Sequence, residues 1–181
     1  MWIKDEDFIR GEVPMTKFNI RSLIIAHLEI KPGDRVLDVG CGTGSISVEA
    51  ASHGAIVTAI DKEDDAIELT SENSKKHGVD LKIVHGVAPE SLEDEEYDKI
   101  FIGGSTGHLR EIFEYAKKNL KSNGIIEASF ILLKNVQEFK NLLKEYGYEN
   151  IETHLVTTAK EDRIGLLRGE NPIFIVKGYK K

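Results

Sequence analysis

Val36-Leu37-Asp38-Val39-Gly40-Cys41-Gly42-Thr43-Gly44-Ser45, or VLDVGCGTGS, decides the fold. Its first half completes an apolar run, RVLDV at 35–39, with the composition of a buried strand. Its second half is a loop with three alternating glycines, and ISVEAASHG at 46–54 then reads as a helix stopped by Gly54. Glycine loops between a strand and a helix approach nucleotides closely.

The same alternation extends downstream. AIVTAID (55–61) is a second strand, and the segment at 63–78 is an amphipathic helix, acidic early, with Lys75-Lys76 late and Gly78 as its stop. LKIVHG (81–86) and YDKIFIGG (97–104) are the third and fourth strands. The segment at 108–124 reads as a helix with a glycine end, and IIEASFILL (125–133) as the fifth strand. A helix at 136–148 precedes two strand-like runs, 150–159 and 171–179, too close together to hold a helix between them. Upstream, Ile20, Leu23, Ile24, His27 and Leu28 keep helical spacing. The expectation is a doubly wound α/β fold: a mostly parallel, seven-stranded sheet with an antiparallel C-terminal hairpin. One domain spans 1–181, its N-terminal segment (1–30) helical and covering the site.

The net charge of −7 offers nothing to nucleic acid or an anionic membrane. No apolar run approaches the roughly 20 residues that span a bilayer, and the start, MWIKDEDF, does not read as a signal peptide. A single cysteine suits the cytoplasm. The six histidines are scattered, without H-x-x-x-H or C-x-x-C, so no metal is expected. Abundant Lys and Glu beside one glutamine, Gln137, resemble hyperthermophile usage.

Which nucleotide suits the loop is a question of charge. No lysine follows the glycines as in a phosphate-binding loop, and the spacing Gly40-x-Gly42-x-Gly44 departs from the dinucleotide fingerprint. Asp38 opposes a phosphate and suits a cation. S-adenosylmethionine carries a sulfonium and an ammonium and no phosphate. Asp61, about twenty residues beyond the first glycine, is placed to accept from both ribose hydroxyls; its alternative role is a helix N-cap. Cys41 reads as packing rather than chemistry. The competing readings are an NAD oxidoreductase, a non-catalytic binding protein, and a small-molecule or RNA methyltransferase of the same fold. The fourth-strand loop, Gly103-Gly104-Ser105-Thr106-Gly107, lacks the Asn/Asp-Pro-Pro-aromatic run of nucleic-acid amino-methylating enzymes.

Over nearly its whole length the chain resembles the decarboxylating cobalt-precorrin methyltransferases of the anaerobic cobalamin pathway. The resemblance lies in DEDFIRGEVPMTKFNIRSL (5–23), DVGCGTG (38–44), Asp61, HGVAPESL (85–92), FIGGSTGHL (101–109) and RGENPIFIV (168–176). It implies a Rossmann-like class I methyltransferase fold and a homotetramer. The implied reaction is methylation of carbon 15 of cobalt-precorrin-6B, with loss of carbon dioxide from the carbon 12 acetate chain. It implies further that Thr16, Asp38, Gly40, Cys41, Gly42, Thr43, Gly44, Asp61 and Ala88 hold S-adenosylmethionine. Family members commonly read Gly-Asp-Ala where this chain has Gly86-Val87-Ala88, leaving adenine to backbone groups. No acid or base is nominated, because the reduced ring is itself electron-rich; Ser105 and Thr106 are candidates to orient it. A polycarboxylate substrate requires basic groups, and Lys17, Arg21, Lys160, Arg163 and Arg168 are the candidates.

Overall fold

In a computed structural model, which describes residues 2–105 and 107–181, the segment expected to be helical over 1–30 is a strap with one 3-10 turn (Asp5–Asp7) that leads into α1 (Phe18–His27). There follow β1 (Arg35–Val39), α2 (Ser45–Ser52), β2 (Ile56–Asp61), α3 (Asp64–His77), β3 (Leu81–His85) and β4 (Tyr97–Ile102). The second half comprises α4 (Leu109–Asn119), β5 (Leu120–Phe130), α5 (Leu133–Glu145) and β6 (Glu149–Val156). A small pair, β7 (Ala159–Glu161) and β8 (Leu167–Gly169), precedes β9 (Ile173–Tyr179).

The seven-stranded sheet has the order β3-β2-β1-β4-β5-β9-β6. Strands β1 to β5 are parallel, and β9 runs antiparallel to both neighbours. Strand alternation splits β1 between two cores. Leu37 and Val39 join Phe113 and Phe139 under α4 and α5, while Val36 joins Ile24, Ile46 and Ala50 under α1 and α2. Asp38 shares Val36's face, is 1% exposed, and accepts from Ser47 Oγ of α2 at 2.5 Å. Because the strand order reverses between β1 and β4, a crevice opens beyond their carboxyl ends.

The helix expected to stop at Gly124 stops at Asn119. Leu120 is already extended (φ −85°, ψ 130°) and pairs with Tyr97. The sheet register then shifts, Asn123 adopts φ 62°, and the glycine serves a bend inside the strand. The fifth strand ends at Phe130, so Ile131, Leu132 and Leu133 leave the sheet and stand exposed. The terminal pair exists as β6 and β9, but β9 sits inside. Its Ile175 and Val176 are fully buried, whereas β6 carries Glu149 and Glu152 at the edge. The stretch between the two terminal strands, which carries Lys160, Arg163 and Arg168, holds the β7–β8 hairpin.

Candidate active site

A cavity of about 940 Å³ occupies the crevice. Its walls come from the loops after β1, β2, β3 and β4, the end of β5, and the strap at 13–17. Asp61 Oδ2, at the end of β2, accepts from Gly42 N at 2.9 Å and so holds the glycine loop in place. Across α3, Thr70 Oγ1 donates to Gly42 O at 3.0 Å and Asn73 Nδ2 to Thr43 O at 2.9 Å. Gly103 N and Gly104 N, after β4, both donate to Val39 O.

The glycines are demanded by protein neighbours as well as by the cavity. A Cβ on Gly40 (φ +74°) would lie 2.7 Å from Gly104 N, and one on Gly44 (φ +74°) 2.8 Å from Thr70 Oγ1. Of the residues expected around the donor, the cavity brings together Thr16, Asp38, Gly40, Cys41, Gly42, Asp61 and Ala88. Thr43 and Gly44 are not among its walls: Thr43 is 1% exposed, and Gly44 packs against α3. Burial, reinforced by the charges of Asp38 and Asp61, holds the Cys41 thiol well above its usual range, so it is no nucleophile at neutral pH.

Asp38 is the unusual group. Its Oδ1 is buried without a hydrogen-bond partner among the described residues. Burial lifts its pKa to about 7, a rise offset in part by the Ser47 hydrogen bond and reinforced by the Asp61 charge. A half-satisfied carboxylate in a cavity wall fits a ligand that brings a cation.

Arg21 corrects the expectation placed on it. It is fully buried and faces protein. Nε donates to Glu49 Oε2 at 3.1 Å, Nη1 to Thr16 O at 2.9 Å and to Asp5 Oδ1 at 3.2 Å, and Nη2 to Ile3 O at 2.6 Å. Arg21 therefore pins the strap that carries Thr16 and cannot meet a substrate. Lys160, Arg163 and Arg168 are exposed on the β7–β8 hairpin, outside the cavity walls, with Arg168 Nε on Asp162 Oδ2 at 3.1 Å. Lys17 and Ser105 do line the cavity; Thr106 lies outside the described residues. The sequence reading missed Ile20, Phe101, Ser129, Asn135, Thr158 and Glu170 in the walls. Ser129 carried a signal, a small hydroxyl near the end of an apolar strand.

Residues 7–180 match the family model described as a precorrin methyltransferase domain. The chain belongs to the precorrin methyltransferase family. A Saccharolobus solfataricus relative, named a probable cobalt-precorrin-6B C(15)-methyltransferase (decarboxylating), is 40% identical, the match covering 98% of this chain and 95% of that one. The solved precorrin-6y C5,15-methyltransferase of Geobacter metallireducens superposes with a TM-score of 0.93 at 28% identity, covering 100% and 98% of the two chains. Precorrin 8W decarboxylase of Methanobacterium thermoautotrophicum gives 0.89 at 33% identity, covering 97% and 98%.

Membership in the precorrin methyltransferases and their fold implies S-adenosylmethionine as methyl donor, and the unpaired Asp38 oxygen fits its ammonium. Ionised Asp38 is the form that attracts this cation. Affinity for S-adenosylhomocysteine is therefore expected to rise several-fold between about pH 6 and pH 8, as Asp38 loses its proton near 7. Calorimetry on the wild type and on Asp38→Asn checks this, since the variant profile should be flat. A flat wild-type profile would remove the role.

Proposed function

We propose that the protein methylates carbon 15 of cobalt-precorrin-6B and promotes loss of carbon dioxide from the carbon 12 acetate chain. The observation that carries this reading is one cavity whose walls combine polar groups for the donor with apolar surface for a large acceptor. Asp38, Gly40, Gly42, Asp61 and Ala88 form the donor end, and Ile20, Ile112, Phe130 and Ile173, with Phe101 beside Asp38 on the neighbouring strand, add apolar walls suited to a macrocycle. Asp61, with Thr16 and Ala88, holds the nucleoside; Asp38 neutralises the ammonium; the strap at 13–17 excludes water. S-adenosylmethionine, when bound, supplies a methyl group on a sulfonium leaving group. No wall residue is assigned as a base: the electron-rich ring carbon bonds to the methyl as the methyl–sulfur bond breaks. The electron pair of the broken carbon–carboxylate bond passes into the ring as carbon dioxide leaves, and the remaining acetate carbon takes up a proton from solvent to become a methyl group. Ser105, which also lines the cavity, orients the ring.

The family resemblance supports a cytoplasmic homotetramer, and the exposed Ile164, Leu166 and Leu167 of the β7–β8 hairpin are apolar surface that association would cover. Incubation with labelled S-adenosylmethionine and cobalt-precorrin-6B, followed by mass analysis, is expected to show one methyl gained and one carbon dioxide lost. Methyl gain without that loss would overturn the decarboxylating half of the reading.

A further inference from the structure

We infer that Glu170 is a placeholder carboxylate: it occupies the acceptor-side cation Lys17, and an acidic side chain of the substrate takes its place there. This rests on the substrate class proposed above. Among the described residues the cavity walls carry two cations, Lys17 and Lys62. Lys62 follows Asp61 at the donor end and pairs with Glu63 at 3.3 Å. Lys17 belongs to the mouth, whose other walls include Thr158, Glu170, Asn171 and Ile173. Its ammonium is bonded to Glu170 Oε1, 153 residues along the chain.

Glu170 has an anchor of its own. Its Oε2 accepts from Thr158 Oγ1 at 2.8 Å, and its backbone N donates to Thr158 O at 2.9 Å. The backbone bond keeps the residue anchored at the hairpin base when its side chain rotates away from Lys17. The ion pair is readily parted, with side chains 44% and 25% exposed, a setting in which such pairs contribute little. Both contacts, to Lys17 first and Thr158 second, hold the Glu170 carboxyl below the usual carboxylate range, so the mouth is charged at neutral pH.

The balance of charge gives the exchange its purpose. Asp38, Asp61, Glu63 and Glu170 stand in the walls against Lys17 and Lys62. A polycarboxylate entering this space is repelled unless a cation is released to it. Swapping one carboxylate for another at Lys17 keeps that ammonium paired throughout and turns the Glu170 charge outward. A neutral molecule of the same shape cannot make the swap and finds the bridge closed. The pair is thus a filter that selects acceptors by their acidic side chains.

The test compares Lys17→Met, Lys17→Arg and Glu170→Gln with the wild type, using cobalt-precorrin-6B turnover and the binding of a corrin polycarboxylate and its full methyl ester. In Lys17→Met the KM for the tetrapyrrole and the Kd for the free acid should rise about tenfold, the loss of one charge-assisted hydrogen bond. Preference for acid over ester should vanish, with S-adenosylhomocysteine affinity held. Lys17→Arg should keep the preference. Glu170→Gln is decisive: free-acid binding should tighten about threefold, with ester binding unchanged. Weaker or unaltered acid binding in Glu170→Gln, or a retained preference in Lys17→Met, would overturn the inference. Should Lys17→Met fail to bind S-adenosylhomocysteine, Glu170→Gln alone decides. If the wild type turns over cobalt-precorrin-6B and Glu170→Gln binds acid no better, the placeholder falls and the reaction stands. If no turnover occurs but the order of acid binding holds, the reaction falls and the placeholder stands.

Discussion

Gly40→Ala is expected to weaken S-adenosylhomocysteine binding about a hundredfold and to cost about 2–5 kcal/mol of stability. Two effects add. The residue has φ +74°, a region that side chains with a Cβ avoid. The new methyl would also lie 2.7 Å from Gly104 N and 2.9 Å from Gly104 Cα and O. These are backbone atoms, and the Gly103 and Gly104 amides are both tied to Val39 O, so nothing rotates out of the way. Relief requires parting the two loops that form adjoining walls of the cavity. Gly33→Ala is the control, because Gly33 has φ +89° and nothing within 4 Å of an added Cβ. It isolates the backbone cost and should leave ligand affinity alone. Calorimetry and urea unfolding measure both quantities. Equal affinity in Gly40→Ala and wild type would refute the packing described for the loop.

Arg21→Ala is expected to lower stability by about 3–5 kcal/mol, the usual result of stripping one partner from a buried ion pair. Arg21 and Glu49 are both fully buried, and truncation leaves Glu49 charged in the core with only its contacts to the Ile3 amide and His53. The carbonyl of Ile3 loses its donor in the same step, and that of Thr16 keeps only Ser45 Oγ at 3.3 Å. Cofactor affinity should therefore fall with the freed strap, whereas a surface cation reading to the substrate would have altered only acceptor binding. Arg21→Met combined with Glu49→Met should recover most of the stability, since the pair rather than either charge is what burial tolerates. A urea midpoint equal to wild type in Arg21→Ala would sink this account.

The parts of the molecule legible in the sequence are local ones. RVLDV, the glycine loop and Gly78 each declare themselves within a few residues, and the parallel sheet with its site at the strand ends follows from their order. Arg21 was misread because its ionic partners lie 16 and 28 residues away. One clue was present: Glu49 is the only charged residue of α2, a helix buried along most of its length, and a lone carboxylate there demands a cation. Gly124 resembled a helix stop, but burial of Leu120 beside Tyr97 ended α4 sooner. The β7–β8 hairpin has no apolar alternation to reveal it. Its turn is held by Asp162 Oδ1, which accepts from Ile164 N and Leu166 N at 3.0 Å, a pattern that Asp so placed can announce. Glu170 was invisible for the plainest reason, since its partner sits near the opposite end of the sequence.

The inner position of β9 bears on how the protein is made. Both strands that flank it are synthesised before residues 173–179 emerge from the ribosome. Until then the nascent sheet is divided, with β5 and β6 each presenting an unmatched edge of the kind that invites misassociation. Newly made chains are thus most vulnerable just before their sheet is joined, and a ligand site with its mouth intact is a property of the finished polypeptide.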